Sequence, residues 1–148
     1  MEKLAIDFEL DPLLKLDKKL IRQKNGKLLI DVQGELTIHI GHSCFLHEPS
    51  LALLELGVAL KEWRVKDSEG ENDFYYFTME HDEGEGPILA FSRKSENEWQ
   101  LFSIWQELEH ESTIASEVLL KAVDRYLTKL EDILLRKFNI KYSYFTLF

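Results

Sequence analysis

The chain has 148 residues, 45% of them hydrophobic, the size and apolar content of one globular domain spanning residues 1–148. No apolar run approaches the roughly 20 residues of a membrane span, and Met1-Glu2-Lys3-Leu4 lacks the apolar core of a secretory signal. Cys44 is the single cysteine, which excludes an internal disulfide framework and fits a reducing, cytoplasmic setting.

The net charge of −9 argues against nucleic-acid binding, because phosphates reward clustered Lys and Arg. That charge is unevenly spread. Between Asp67 and Glu111 stand thirteen acids against two bases, Arg93 and Lys94, so this third carries −11 and the remainder is slightly positive. A near-neutral scaffold with one acidic stretch projects a focused negative field, which favours fast association with a basic partner.

In chain order, Leu4–Leu10 alternates as a strand ended by Asp11-Pro12. Asn25-Gly26 predicts a type I′ hairpin leading into a strand over Leu28–Val32. A further turn at Gln33-Gly34 would place Ile30, Val32, Leu36, Ile38 and Ile40 on one face. Gly41-His42 offers another tight turn before Cys44-Phe45-Leu46. Pro49 or Ser50 then suits the first turn of a helix over about residues 49–65, with Leu53, Leu56, Leu60 and Trp63 as its stripe. Gly57 inside that helix points to close packing.

Beyond the polar loop Asp67–Asp73, three aromatic-rich strands are expected at Phe74–Met79, Pro87–Ser92 and Trp99–Trp105. A long helix over about residues 113–137 follows, with Ser112 as N-cap and Ala122, Tyr126, Leu130 and Leu134 among its apolar positions. Glu117 with Lys121 and Asp132 with Arg136 supply i, i+4 pairs on its wet face. The apolar tail from Phe138 is a last strand or a docked segment. The expected fold is α+β, an antiparallel sheet of about seven strands with two packed helices.

Candidate chemistry is sparse. His39, His42, Cys44 and His47 lie within nine residues and have the composition of a zinc set, yet zinc sites usually draw ligand pairs from two separated segments. Cys44 with His39 is the only nucleophile–base pair that can be drawn, and nothing activates it. No glycine-rich phosphate loop or calcium-loop spacing occurs. The aromatic residues of the second half divide between core and a partner-facing patch, since Tyr and Trp dominate binding hot spots.

The pattern Leu28-Leu-Ile-Asp-Val-x-Gly-x-Leu-x-Ile-x-Ile-Gly41, then Glu48-Pro-x-Leu-x-Leu-Leu-Glu-Leu-Gly57, then Ile88-Leu-x-Phe91 and Trp99-x-Leu-x-Ser-x-Trp105, resembles small acidic bacterial immunity factors of toxin–immunity systems. The resemblance implies a stoichiometric, non-catalytic inhibitor of a secreted toxin, without a cofactor. Joined to the charge pattern, it leads to a basic partner, such as a nuclease toxin domain, masked by a carboxylate-rich surface. Glu80, Asp82, Glu83, Glu85, Glu107 and Glu109 are the residues expected to meet it. The alternatives are a metal-binding protein or metal-dependent enzyme built on His39, His42, Cys44 and His47, and a subunit of a homodimer or larger homo-oligomer joined through the apolar tail.

Overall fold

Period-two alternation in the first half builds one sheet, and the aromatic strands of the second half build another. The computed structural model describes residues 2–67, 71–78 and 83–145, with the side chain of Glu83 left out. Strands β1 (Leu4–Leu10), β2 (Gln33–Ile40) and β3 (Ser43–Ala52) form a three-stranded antiparallel sheet in that order. Strands β4 (Phe74–Tyr76), β5 (Leu89–Ser95), β6 (Glu98–Phe102) and β7 (Ile114–Ala115) form a four-stranded one. The fold is α+β, and the seven antiparallel strands among the described residues are divided between two sheets.

In β2, Leu36, Ile38 and Ile40 are buried while Thr37 and His39 are half-buried, as the alternation requires. Gly34 lies in this strand rather than in a turn. A Cβ there would fall on the backbone of Glu9 and Leu10 and on the Leu53 side chain, so only glycine lets β1 and helix α3 (Leu53–Lys66) approach. The turn predicted at Gly41-His42 is present, with Gly41 in the left-handed region at φ 61° and Ile40 paired with Ser43.

Other expectations also fail in the first half, for local reasons. Asn25-Gly26 closes no hairpin, because Lys18–Gln23 forms a short helix, α1, in place of a partner strand. Positive φ falls on Lys24 instead, and the Asn25 side chain accepts the Lys27 N–H at 2.9 Å. That bond starts the helical turn α2 (Leu28–Asp31) where a strand was expected. Pro49 opens no helix either. It sits in β3 where a register shift opposite the Gly34–Leu36 stretch absorbs the residue that cannot donate to the ladder. Helix α3 starts only at Leu53, whose N–H goes to the Val32 carbonyl at 3.0 Å.

Helix α4 (Ser116–Phe138) begins three residues later than expected, and Ser112 does not cap it. Ile114 and Ala115 are held extended by pairing with Trp99 and Glu98, and Asn97 accepts the Ser116 N–H at 3.2 Å from the β5–β6 turn. The two expected ion pairs on its wet face are present at 2.9 and 3.1 Å. Its apolar stripe packs against β1 and against α3. A bidentate pair from Arg64 to Asp124, at 2.8 and 3.0 Å, ties the two long helices together.

Among the described residues the tail forms no strand. Ile140 and Tyr142 are buried in the chain's own core, and Tyr142 enters a 3₁₀ turn, Tyr142–Tyr144. Gly57 explains how it fits: a Cβ there would lie 3.0 Å from the Tyr142 ring and 3.1 Å from Leu130, so helix α3 is bare where α4 and the tail cross it. Leu130 is fully buried at this crossing. Leu130→Ala is expected to cost about 2–5 kcal/mol by urea unfolding, whereas Leu135→Ala on the exposed side should stay within about 0.5 kcal/mol.

Candidate functional site

The second sheet sorts its aromatic residues by strand parity. Phe74, Phe91 and Leu101 lie in one row across β4, β5 and β6, on the inner face. There Trp63 of α3 packs its ring against Phe74, Phe91 and Trp99 at centroid distances of 5.6, 5.6 and 5.8 Å. The next row, Tyr75, Ala90 and Phe102, lies on the outer face. Tyr75 is 57% exposed and Phe102 46%, large values for aromatic side chains flanking a small, buried alanine. Trp105, three residues beyond Phe102, is 42% exposed.

The connection after β6 folds back beside this row. Gln100 Nε2 donates to the His110 carbonyl at 3.1 Å, and Gln106 Oε1 accepts the Ser103 N–H at 3.0 Å. The Glu107 N–H donates to the Phe45 carbonyl of β3 at 2.8 Å, which anchors the connection to the first sheet. Between the connection and the outer row lies a groove of about 400 Å³, lined among others by Tyr75, Phe102, Gln106, Glu109 and His110. The His110 ring stands edge-on to Phe45 at 5.2 Å, and its two nitrogens are buried without a hydrogen-bond partner among the described residues. At the far edge the Tyr75 hydroxyl donates to Asp73 at 3.2 Å, and that carboxylate pushes the phenol up.

The acidic residues predicted to meet a partner are not all gathered here. Glu109 lines the groove. Glu107 instead lies against β3, where burial, followed by the Glu107 carboxylate, raises the Cys44 thiol. Burial also raises Glu48, with Glu107 adding to it and His47 opposing it. Glu85 belongs to a 3₁₀ turn, Glu83–Glu85, away from Glu107 in sequence. Glu80 and Asp82, and the side chain of Glu83, lie outside the described residues.

His39 and Cys44 do face each other across β2 and β3, as the hairpin predicts. A thiol held upward in pKa is poorly suited to nucleophilic attack. His42 is exposed at the turn, and His47 Nε2 lies 3.1 Å from Glu35. Among the described residues no three of His, Cys, Asp and Glu gather to hold a metal ion. The groove was not legible residue by residue. Gln106 and His110 carry no motif, and only the fold-back of their segment brings them to the sheet.

Among the described residues, no helix is long and apolar enough to cross a membrane. The family described as a domain of unknown function, DUF7878, matches residues 6–136, which takes in both sheets and nearly all of α4. The chain belongs to the DUF7878 family. No curated protein matches it, and no solved structure does.

Proposed function

We propose that this DUF7878 protein is a non-catalytic, cytoplasmic binding module whose partner docks on the outer face of the second sheet. The observation that carries this reading is the ladder row Tyr75–Ala90–Phe102, two exposed aromatic side chains flanking an alanine floor beside a groove. Exposed aromatic side chains on a rigid sheet are the anchors that dominate protein interfaces, and here a packed inner face fixes their backbone. The negative third of the chain surrounds this face in sequence, which supports a basic partner drawn in by charge and held by aromatic contact. With the resemblance to immunity factors, the reading becomes neutralisation of a basic toxin domain, such as a nuclease, by covering its cationic cleft.

The test is binding kinetics with the product of the neighbouring gene, where that gene encodes a basic toxin domain. Tyr75→Ala and Phe102→Ala are each expected to weaken binding tenfold or more, mostly through faster dissociation, with Tyr75→Phe close to wild type. Replacing Asp82, Glu83 and Glu85 by Asn and Gln should slow association and flatten its salt dependence, leaving folding stability nearly unchanged. A bound partner indifferent to Tyr75 and Phe102 would overturn the proposed surface. Failure of the chain to protect cells that express the domain would overturn the immunity reading.

A further inference from the structure

At the opposite pole of charge from the acidic third, the segment between β1 and α1 meets the end of α4. Leu14, Leu16, Ile21 and Phe138 form the floor of an open groove of about 720 Å³ between them. Lys15, Lys18 and Arg22 stand on one bank, Arg136 and Lys137 on the other, and no carboxylate lines the groove. Five cations around one apolar groove, in a chain of net charge −9, is a strong local inversion of sign. The nearest acids in sequence are already engaged: Asp11 accepts the Leu13 N–H at 2.9 Å, and Asp17 the Lys19 N–H at 2.8 Å. Asp132 pairs with Arg136 at 3.1 Å, while Lys15, Lys18, Arg22 and Lys137 have no ion pair among the described residues. Leu135, which also lines the groove, is 37% exposed, and Leu13, next to Leu14 in the chain, is 84% exposed.

We infer that this groove is a second docking surface, for a partner segment in which carboxylates are interleaved with aliphatic side chains. The argument is complementarity of both kinds. Cations on two banks need negative charge spread along the occupant, more than a single small anion carries. The apolar floor needs side chains that insert, which a flat bilayer does not offer a concave site. A polyanion without apolar groups would meet the cations but leave the apolar floor uncovered, against the repulsion of the chain's net charge. The inference is independent of the reading proposed for the second sheet, since it uses no residue of that sheet.

The test uses the full chain and a fluorescein-labelled synthetic peptide of Glu and Leu at helical spacing, followed by anisotropy. Saturable binding is expected, weakening steeply with added salt. Lys18→Glu with Arg22→Glu should reduce affinity about tenfold, and Lys15→Glu with Lys137→Glu should do the same from both banks at once. These side chains are exposed, so melting temperatures should barely move. The same peptide with Lys in place of Glu should not bind. Absence of saturable binding, or binding by both charge-reversed variants as tight as by the unaltered chain, would overturn the inference. So would groove-dependent binding of oleate or of phosphatidylglycerol vesicles without binding of the peptide, because the occupant would then be a lipid.

Discussion

Above pH 10 the chain is expected to lose stability at about 4 kcal/mol per pH unit. Three buried tyrosines set that slope. Burial raises Tyr76, and its hydroxyl donates to Glu55 at 2.7 Å, so the carboxylate raises it further. Burial raises Tyr126, the neighbouring Tyr142 and Tyr76 adding to it, and its hydroxyl donates to the Leu53 carbonyl at 2.9 Å. Burial and then Glu131 raise Tyr142, whose hydroxyl donates to the Leu127 carbonyl at 2.7 Å. In the unfolded chain each phenol loses its proton near pH 10, while the folded chain keeps all three. The folded state therefore binds more protons above pH 10, and stability falls as pH rises. It is fully present below the unfolded pKa. Guanidinium midpoints measured at increasing pH should show this slope, and Tyr142→Phe should reduce it by about a third. A flat profile across that range would mean these hydroxyls reach water in the folded state. Tyr75 is the weaker case, because it is exposed and its phenol is raised chiefly by Asp73 at the surface, where solvent screens the effect.

How much of this was readable in advance varies with the kind of signal. The alternation of β1 and β2, the Gly41-His42 turn and the stripe of α4 were legible because each is repeated or anchored by a residue with one preferred geometry. Asn25-Gly26 misled because a hairpin signal says nothing about whether a strand precedes it. Pro49 misled because its missing N–H suits both a helix start and a bulge, and only the pairing of β3 with β2 decides between them. Parity divides Tyr75 from Tyr76, yet sequence alone does not say which parity faces the helices. Trp63 decides it, by packing on Phe74 and Phe91. The cationic groove was illegible for a further reason. Lys15–Arg22 and Arg136–Lys137 are more than a hundred residues apart, and no local pattern announces that they meet.

Trp99→Ala is expected to lower the unfolding free energy by about 3–5 kcal/mol, the largest single-residue loss on the second sheet. Trp99 is fully buried on β6, and its indole Nε1 donates to Ser116 Oγ at 2.9 Å, joining the sheet to the start of α4. Its ring meets Trp63 edge-on, so it also joins the sheet to α3. Removing it leaves a cavity between sheet and helices and takes the indole donor from the half-buried Ser116 hydroxyl. Trp99→Phe separates the two contributions, because it keeps most of the ring and loses the N–H. It should cost about 1–2 kcal/mol, near the worth of one half-buried hydrogen bond with slight repacking. The consequence reaches the outer face. Tyr75 and Phe102 owe their presentation to strands held from behind by Trp63 and Trp99, so Trp99→Ala should also loosen partner binding while touching no partner. Urea unfolding of the two variants checks the stability ranking. A loss below about 0.5 kcal/mol for Trp99→Ala would show that the sheet stands without this contact. The aromatic row would then lack the rigid backing on which the proposed docking surface rests.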